Sequence, residues 1–198
     1  TYLILVGSLD SQCLPECCER LGVGFPQIRR LSPDRAVEIA LEGQPHESAL
    51  HDLRDEFSSR EIDLFHVSGE FRRKKLLIAD MDATIVTGET LDDLAELAGL
   101  GEEISKVTAA AMRGELDFEA ALKLRVSMLR GLPESLLHRT FERMTLSKGA
   151  ETLVRVMRSN GATCVLVSGG FTFFTSRVAD YVDFHFIMAI VLLLEMGF

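Results

Sequence analysis

The stretch Lys75-Leu76-Leu77-Ile78-Ala79-Asp80-Met81-Asp82-Ala83-Thr84 decides how the rest of the chain is read. Leu76 to Ala79 is a short apolar run of the kind that forms a buried parallel strand, and it ends in two acids one residue apart. Side chains alternate along a strand, so Asp80 and Asp82 are expected on the same side of an extended chain. Open α/β sheets place their ligands at the carboxyl ends of strands. Two carboxylates there can divide labour, one attacking and the other moving protons, and their joint charge calls for a cation.

With 198 residues the chain has room for one large domain or two modest ones, each with a real core. An apolar content of 47% and a charged content of 26% describe an ordinary globular protein. The net charge of −9 argues against nucleic acid or an anionic membrane as partner. Cys13, Cys17, Cys18 and Cys164 form no disulfide framework. The first three fall in an expected helix with no fourth metal ligand nearby and read as buried thiols. Thr1 to Val6 is apolar without a basic leader, so no signal peptide is expected, although the chain starts without Met. Phe186 to Leu194 is too short for a bilayer that needs ~20 residues, and a cytoplasmic location is expected.

Strands are expected at 2–6, 36–41 and 62–67, with helices at 11–21 and 46–59, giving a small N-terminal α/β domain over 1–72. The basic run Arg72-Arg73-Lys74-Lys75 reads as a solvated linker or strand flank. The second domain covers 73–198, with a helical cap at about 88–146 inserted after the Asp80 strand. Thr90 with Asp93 has the spacing of a capping box, and Asp117 caps a helix over 118–129. Further helices are expected from Pro133 towards Met144 and over 149–159. Strand character returns at Thr163 to Val167 and ends in Ser168-Gly169-Gly170 ahead of another helix. A strand, a glycine turn and a helix N-terminus suit an anion, because free backbone N–H groups and the helix dipole both favour phosphate.

A strand with acids, a helical cap and a strand with Ser-Gly-Gly, in that order, resembles the haloacid dehalogenase superfamily of phosphohydrolases. Asp80-Met81-Asp82-Ala83-Thr84, then Glu89, then Arg113-Gly114-Glu115-Leu116-Asp117-Phe118 with Met112 and Arg125, is similar to the phosphoserine phosphatase family within it. The resemblance implies a Rossmann-like parallel sheet with an inserted cap and a regulatory-type N-terminal domain. It also implies Mg²⁺-dependent hydrolysis of phosphoserine to serine, a small-molecule substrate. Asp80 would attack phosphorus and Asp82 would act as acid and base, with Mg²⁺ on the Asp80 carboxylate and the Asp82 carbonyl. Glu89 would hold the substrate ammonium, Arg125 its carboxylate, and Ser168 and Gly169 the phosphate. Met112 and Phe118 would shape the pocket, and Thr84 would support the loop. A homodimer is possible. Independently of any family, Arg125 interrupts the apolar stripe Phe118, Leu122 and Leu129, and a charge on such a face wants a partner.

The chain departs from the family in one place. The family carries a lysine and then a Gly-Asp-Gly-x-Asn-Asp segment after the Ser-Gly-Gly strand. Here the last lysine is Lys148, and only Asp180 and Asp183 lie beyond Gly170. Val182 to His185 matches the family just after the helix, and only three residues later Ala189 to Phe198 resembles the family's C-terminal helix. The core sheet is therefore expected to be incomplete, with a bare edge beside the Asp80 strand that Phe186 to Leu194 could fill. Poor or no hydrolysis of phosphoserine by the 198-residue chain is expected. The alternative is an impaired protein that only binds phosphoserine, serine or a partner chain.

Overall fold

The computed structural model describes residues 1–24 and 27–191. The chain divides into two compact units, Thr1–Arg73 and Lys74–Phe198. The first has the order β1 (Tyr2–Val6), α1 (Cys13–Arg20), β2 (Ile28–Ser32), β3 (Ala36–Ala40), α2 (Glu47–Ser58), β4 (Asp63–Val67). Its sheet is antiparallel with order β2-β3-β1-β4, the split βαβ arrangement of ferredoxin-like domains. Leu3 and Leu5 alternate into a core shared with Val37, Ile39, Leu53 and Phe57. Cys13 and Cys17 are buried in that core as free thiols, and burial pushes the Cys17 thiol up to about 12.

Strand β2 was not expected. Ile28-Arg29-Arg30-Leu31-Ser32 is exposed almost throughout, so it carries no buried alternation to read. Its pairing with β3 holds it, with Arg29 directly opposite Glu38. Glu38 is only 5% exposed; it accepts a hydrogen bond from Arg29 Nε at 3.0 Å and pairs with Arg72, which stacks over the Tyr2 ring. Arg72 is therefore a structural cation rather than part of a solvated linker. Burial raises the Glu38 pKa, but hydrogen bonds and charge from Arg72 and Arg29 outweigh it and hold the carboxyl below its ordinary value. A depressed carboxyl pKa contributes stability above the unfolded value, and that stability is lost as pH falls through the folded value. Glu38→Gln is expected to cost about 1.5–3 kcal/mol at neutral pH and to flatten the acid limb of this unit's stability curve. Chemical denaturation at neutral and acid pH checks both; an unchanged acid limb contradicts the assignment.

In the second unit, β5 (Leu76–Asp80), β6 (Thr163–Phe171) and β7 (Phe186–Ile190) form a parallel sheet in the order β5-β6-β7. This parallel α/β core is the class expected from the sequence. Between β5 and β6 run α3 (Thr90–Leu97), α4 (Gly101–Met112), α5 (Phe118–Met128), α6 (Ser135–Arg143) and α7 (Ala150–Ser159). α8 (Thr172–Val182) connects β6 to β7. Ala79, Cys164, Leu166, Val154, Phe174 and Val178 belong to one buried cluster. Asp117 caps α5 as expected, its carboxylate accepting from Ala120 N–H at 2.7 Å.

Phe186 to Ile190 pairs with β6, not with β5, so it does not fill the space beside the Asp80 strand. A parallel strand reaches the next by a crossover, and α8 delivers β7 to the far side of β6. Ala189 and Ile190 finish that strand rather than opening a helix. The rest of the expected C-terminal helix, 192–198, lies outside the described residues. No helix among the described residues is long and apolar enough to cross a membrane.

Candidate active site

Strand β5 stops at Asp80, and the chain does not stay extended to Asp82. Met81–Ile85 makes one wide turn in which Met81 is fully buried and Ala83 is left-handed at φ +48°. That conformation is uncommon for a residue with a Cβ, and Ala83 N–H is fixed there by the Gly88 carbonyl at 3.0 Å. The turn does bring both acids to one cavity. Asp80, Asp82, Glu89, Thr90, Leu91, Phe118, Leu122, Arg125, Gly169, Gly170 and Phe171 line a space of about 230 Å³, the scale of a small metabolite.

Each wall comes from a different element. Asp80 Oδ1 accepts the Met81 N–H at 2.8 Å. Asp82 Oδ1 accepts the Thr90 N–H at 3.0 Å and also the Thr90 hydroxyl. Glu89 precedes α3; burial raises its carboxyl pKa first, and the charges of Asp82, Asp92, Asp80 and Asp93 raise it further. From α5, Phe118 comes within van der Waals range of Gly169, its Cζ 3.6 Å from where a Cβ would stand. Arg125 donates only a long 3.4 Å bond to the Ala121 carbonyl, and among the described residues its guanidinium has no carboxylate partner.

Two expected pocket residues, Met112 and Ser168, do not line the cavity. Met112 ends α4 and is 85% exposed. Thr84, expected only to support the loop, is exposed within the Met81–Ile85 turn. Ser168 is buried inside β6, which runs through Ser168-Gly169-Gly170 with a register shift instead of ending in a tight turn. Its Oγ accepts the Gly170 N–H at 2.9 Å. Arg177 also stays away, donating to the Phe173 carbonyl at 2.7 Å and stacking on the Phe173 ring.

Thr90 is the cavity-lining residue that sequence spacing misassigned. It is the first residue of α3, not its cap, and its hydroxyl goes to Asp82 instead of closing a capping box with Asp93.

The model of the haloacid dehalogenase-like hydrolases matches residues 77–195, more than half of the chain. The chain belongs to the haloacid dehalogenase-like hydrolase family. Curated members include the phosphoserine phosphatase of Haemophilus influenzae, 40% identical over 90% of this chain and 55% of that protein. A solved probable phosphoserine phosphatase from Vibrio cholerae, unliganded, is 28% identical with a TM-score of 0.77, over 99% of this chain and 60% of that one. A phospho-aspartyl intermediate analogue of a phosphoserine phosphatase is 35% identical with a TM-score of 0.58, over 63% of this chain and 59% of that one. The chain spans about a third to just over half of the length of the first curated relatives it matches. In this haloacid dehalogenase-like chain the acids at the end of β5, the cap residues of α3 and α5, and the glycines of β6 meet at the cavity.

Proposed function

We propose that the protein is a magnesium-dependent phosphomonoesterase acting on phosphoserine through an aspartyl-phosphate. The observation that carries this reading is the convergence of Asp80, Asp82, Glu89 and Arg125 on one small cavity. Phosphoserine offers an ester for the two aspartates, an ammonium for Glu89 and a carboxylate for Arg125. An isolated guanidinium suits bidentate capture of that carboxylate.

In the first step an Asp80 carboxylate oxygen forms a bond to phosphorus as the P–O bond to serine breaks, and Asp82 gives its proton to the departing seryl oxygen. In the second, water attacks phosphorus, Asp82 takes back a proton, and the bond from Asp80 to phosphorus breaks. The oxygen donors at Asp80 and Asp82 fit Mg²⁺, which keeps several waters and binds through one or two carboxylates. Bound there, the ion would neutralise charge on the phosphoryl group. Arg125 is the lone cationic side chain lining the described cavity, against three acids. The 198-residue chain is accordingly expected to turn over slowly while still binding and transferring the phosphoryl group.

Product binding tests the amino-acid part of this reading apart from the chemistry. L-Serine keeps the ammonium and carboxylate but has no phosphate to titrate. Because the Glu89 pKa is raised in the free protein, the ionised form that holds an ammonium is lost earlier than for an ordinary glutamate. Serine affinity, followed by calorimetry, is expected to fall as pH is lowered into the acid range, starting at higher pH than an ordinary glutamate would give, and Glu89→Gln should abolish that dependence. Serine binding that is absent, or unchanged by Glu89→Gln, contradicts the assignment.

A further inference from the structure

We infer that Thr90 is a positioning residue that selects which oxygen of Asp82 carries the catalytic proton. The inference deepens the phosphomonoesterase reading and rests on it for its catalytic meaning. Thr90 is 3% exposed, and a buried hydroxyl must find a partner. Its partner is Asp82 Oδ1, the same oxygen that accepts the Thr90 N–H at 3.0 Å. An amide can only donate, so Oδ1 must remain an acceptor. When Asp82 is protonated, its proton therefore sits on Oδ2.

Oδ2 faces the chemistry. It lies 3.4 Å from where a Cβ on Gly170 would stand, beside the glycine segment that lines the cavity. The absence of a side chain at Gly170 leaves that oxygen accessible. Thr90 thus holds one oxygen of the acid with two donors and leaves the other to serve the seryl oxygen and then the attacking water. The donors come from the first turn of α3, where the Thr90 N–H would otherwise lack a partner and the helix dipole favours a carboxylate. Glu89 is the residue immediately before, so one short piece of backbone sets both the ammonium-binding acid and the proton-transferring acid. Substrate capture at Glu89 and proton delivery at Asp82 share one anchor.

Thr90→Val keeps the shape and the amide but removes the hydroxyl; Thr90→Ser restores it. Single turnovers of the full chain with Mg²⁺ are compared on phosphoserine and 4-nitrophenyl phosphate. Nitrophenolate leaves without a proton, whereas the seryl oxygen needs one. Thr90→Val is expected to slow the phosphoserine turnover about 10- to 100-fold and nitrophenolate release by no more than about twofold, with Thr90→Ser close to wild type on both. Equal losses on the two substrates, or no recovery with Ser, would overturn the inference. If the wild-type chain releases neither leaving group, the phosphatase reading fails, and the positioning claim is decided by NMR. Three-bond couplings are expected to show a single Asp82 χ1 rotamer in wild type and Thr90→Ser and an averaged one in Thr90→Val. A single rotamer in all three refutes it.

Discussion

Asp80→Asn is expected to lower the single-turnover rate on phosphoserine by at least ~10³-fold, because it closes the covalent route while leaving the pocket in place. The side-chain oxygen of Asn can still accept the Met81 N–H that Asp80 Oδ1 holds at 2.8 Å, so the turn after β5 should survive. Unchanged circular dichroism and melting would confirm that, and quenched-flow measurement of phosphate and acyl phosphate reads the chemistry. A variant that keeps more than about a tenth of the wild-type rate would mean that another group attacks phosphorus.

Arg125→Ala should separate substrates instead of abolishing the reaction. The guanidinium is half-buried on α5, lines the cavity and has no carboxylate partner among the described residues. Its removal leaves the substrate carboxylate unpaired in a partly desolvated site, a loss of about 2–5 kcal/mol or roughly 30- to 5 × 10³-fold. An aryl phosphate has no carboxylate, and its turnover should change by less than about threefold. Comparing kcat/KM for the two substrates checks this. Parallel losses would make Arg125 a structural residue of the cap.

The sequence was most legible where chemistry and packing disagreed. Two acids closing an apolar run, and an arginine on an apolar helix stripe, are expensive residues for a core, and the structure brings Asp80, Asp82 and Arg125 to one cavity. Asp117 was legible because a cap is a local interaction between residues three apart. What escaped depends on tertiary geometry. Strand β2 buries no apolar face and is held by its neighbour and by Glu38, separated from Arg29 by a hairpin. Thr90 has the spacing of a local cap, but a carboxylate eight residues earlier competes for its hydroxyl and wins, since bonds to charged acceptors are stronger than bonds to an amide. Met112 lies close in sequence to pocket residues yet points from the end of α4 into solvent. Ser168 reads as the rim of a glycine turn, whereas the strand continues through it and its hydroxyl serves the Gly170 amide.

Asp80 as the group that accepts a phosphoryl is open to direct chemical trapping. The folded chain is incubated with Mg²⁺ and acetyl phosphate, quenched, reduced with borohydride and mapped by mass spectrometry. Reduction of an acyl phosphate converts aspartate to homoserine. Homoserine is expected at position 80 and is expected to be absent from Asp80→Asn. Homoserine at position 82, a reduced Glu89, or no acyl phosphate anywhere on the folded chain would contradict that expectation.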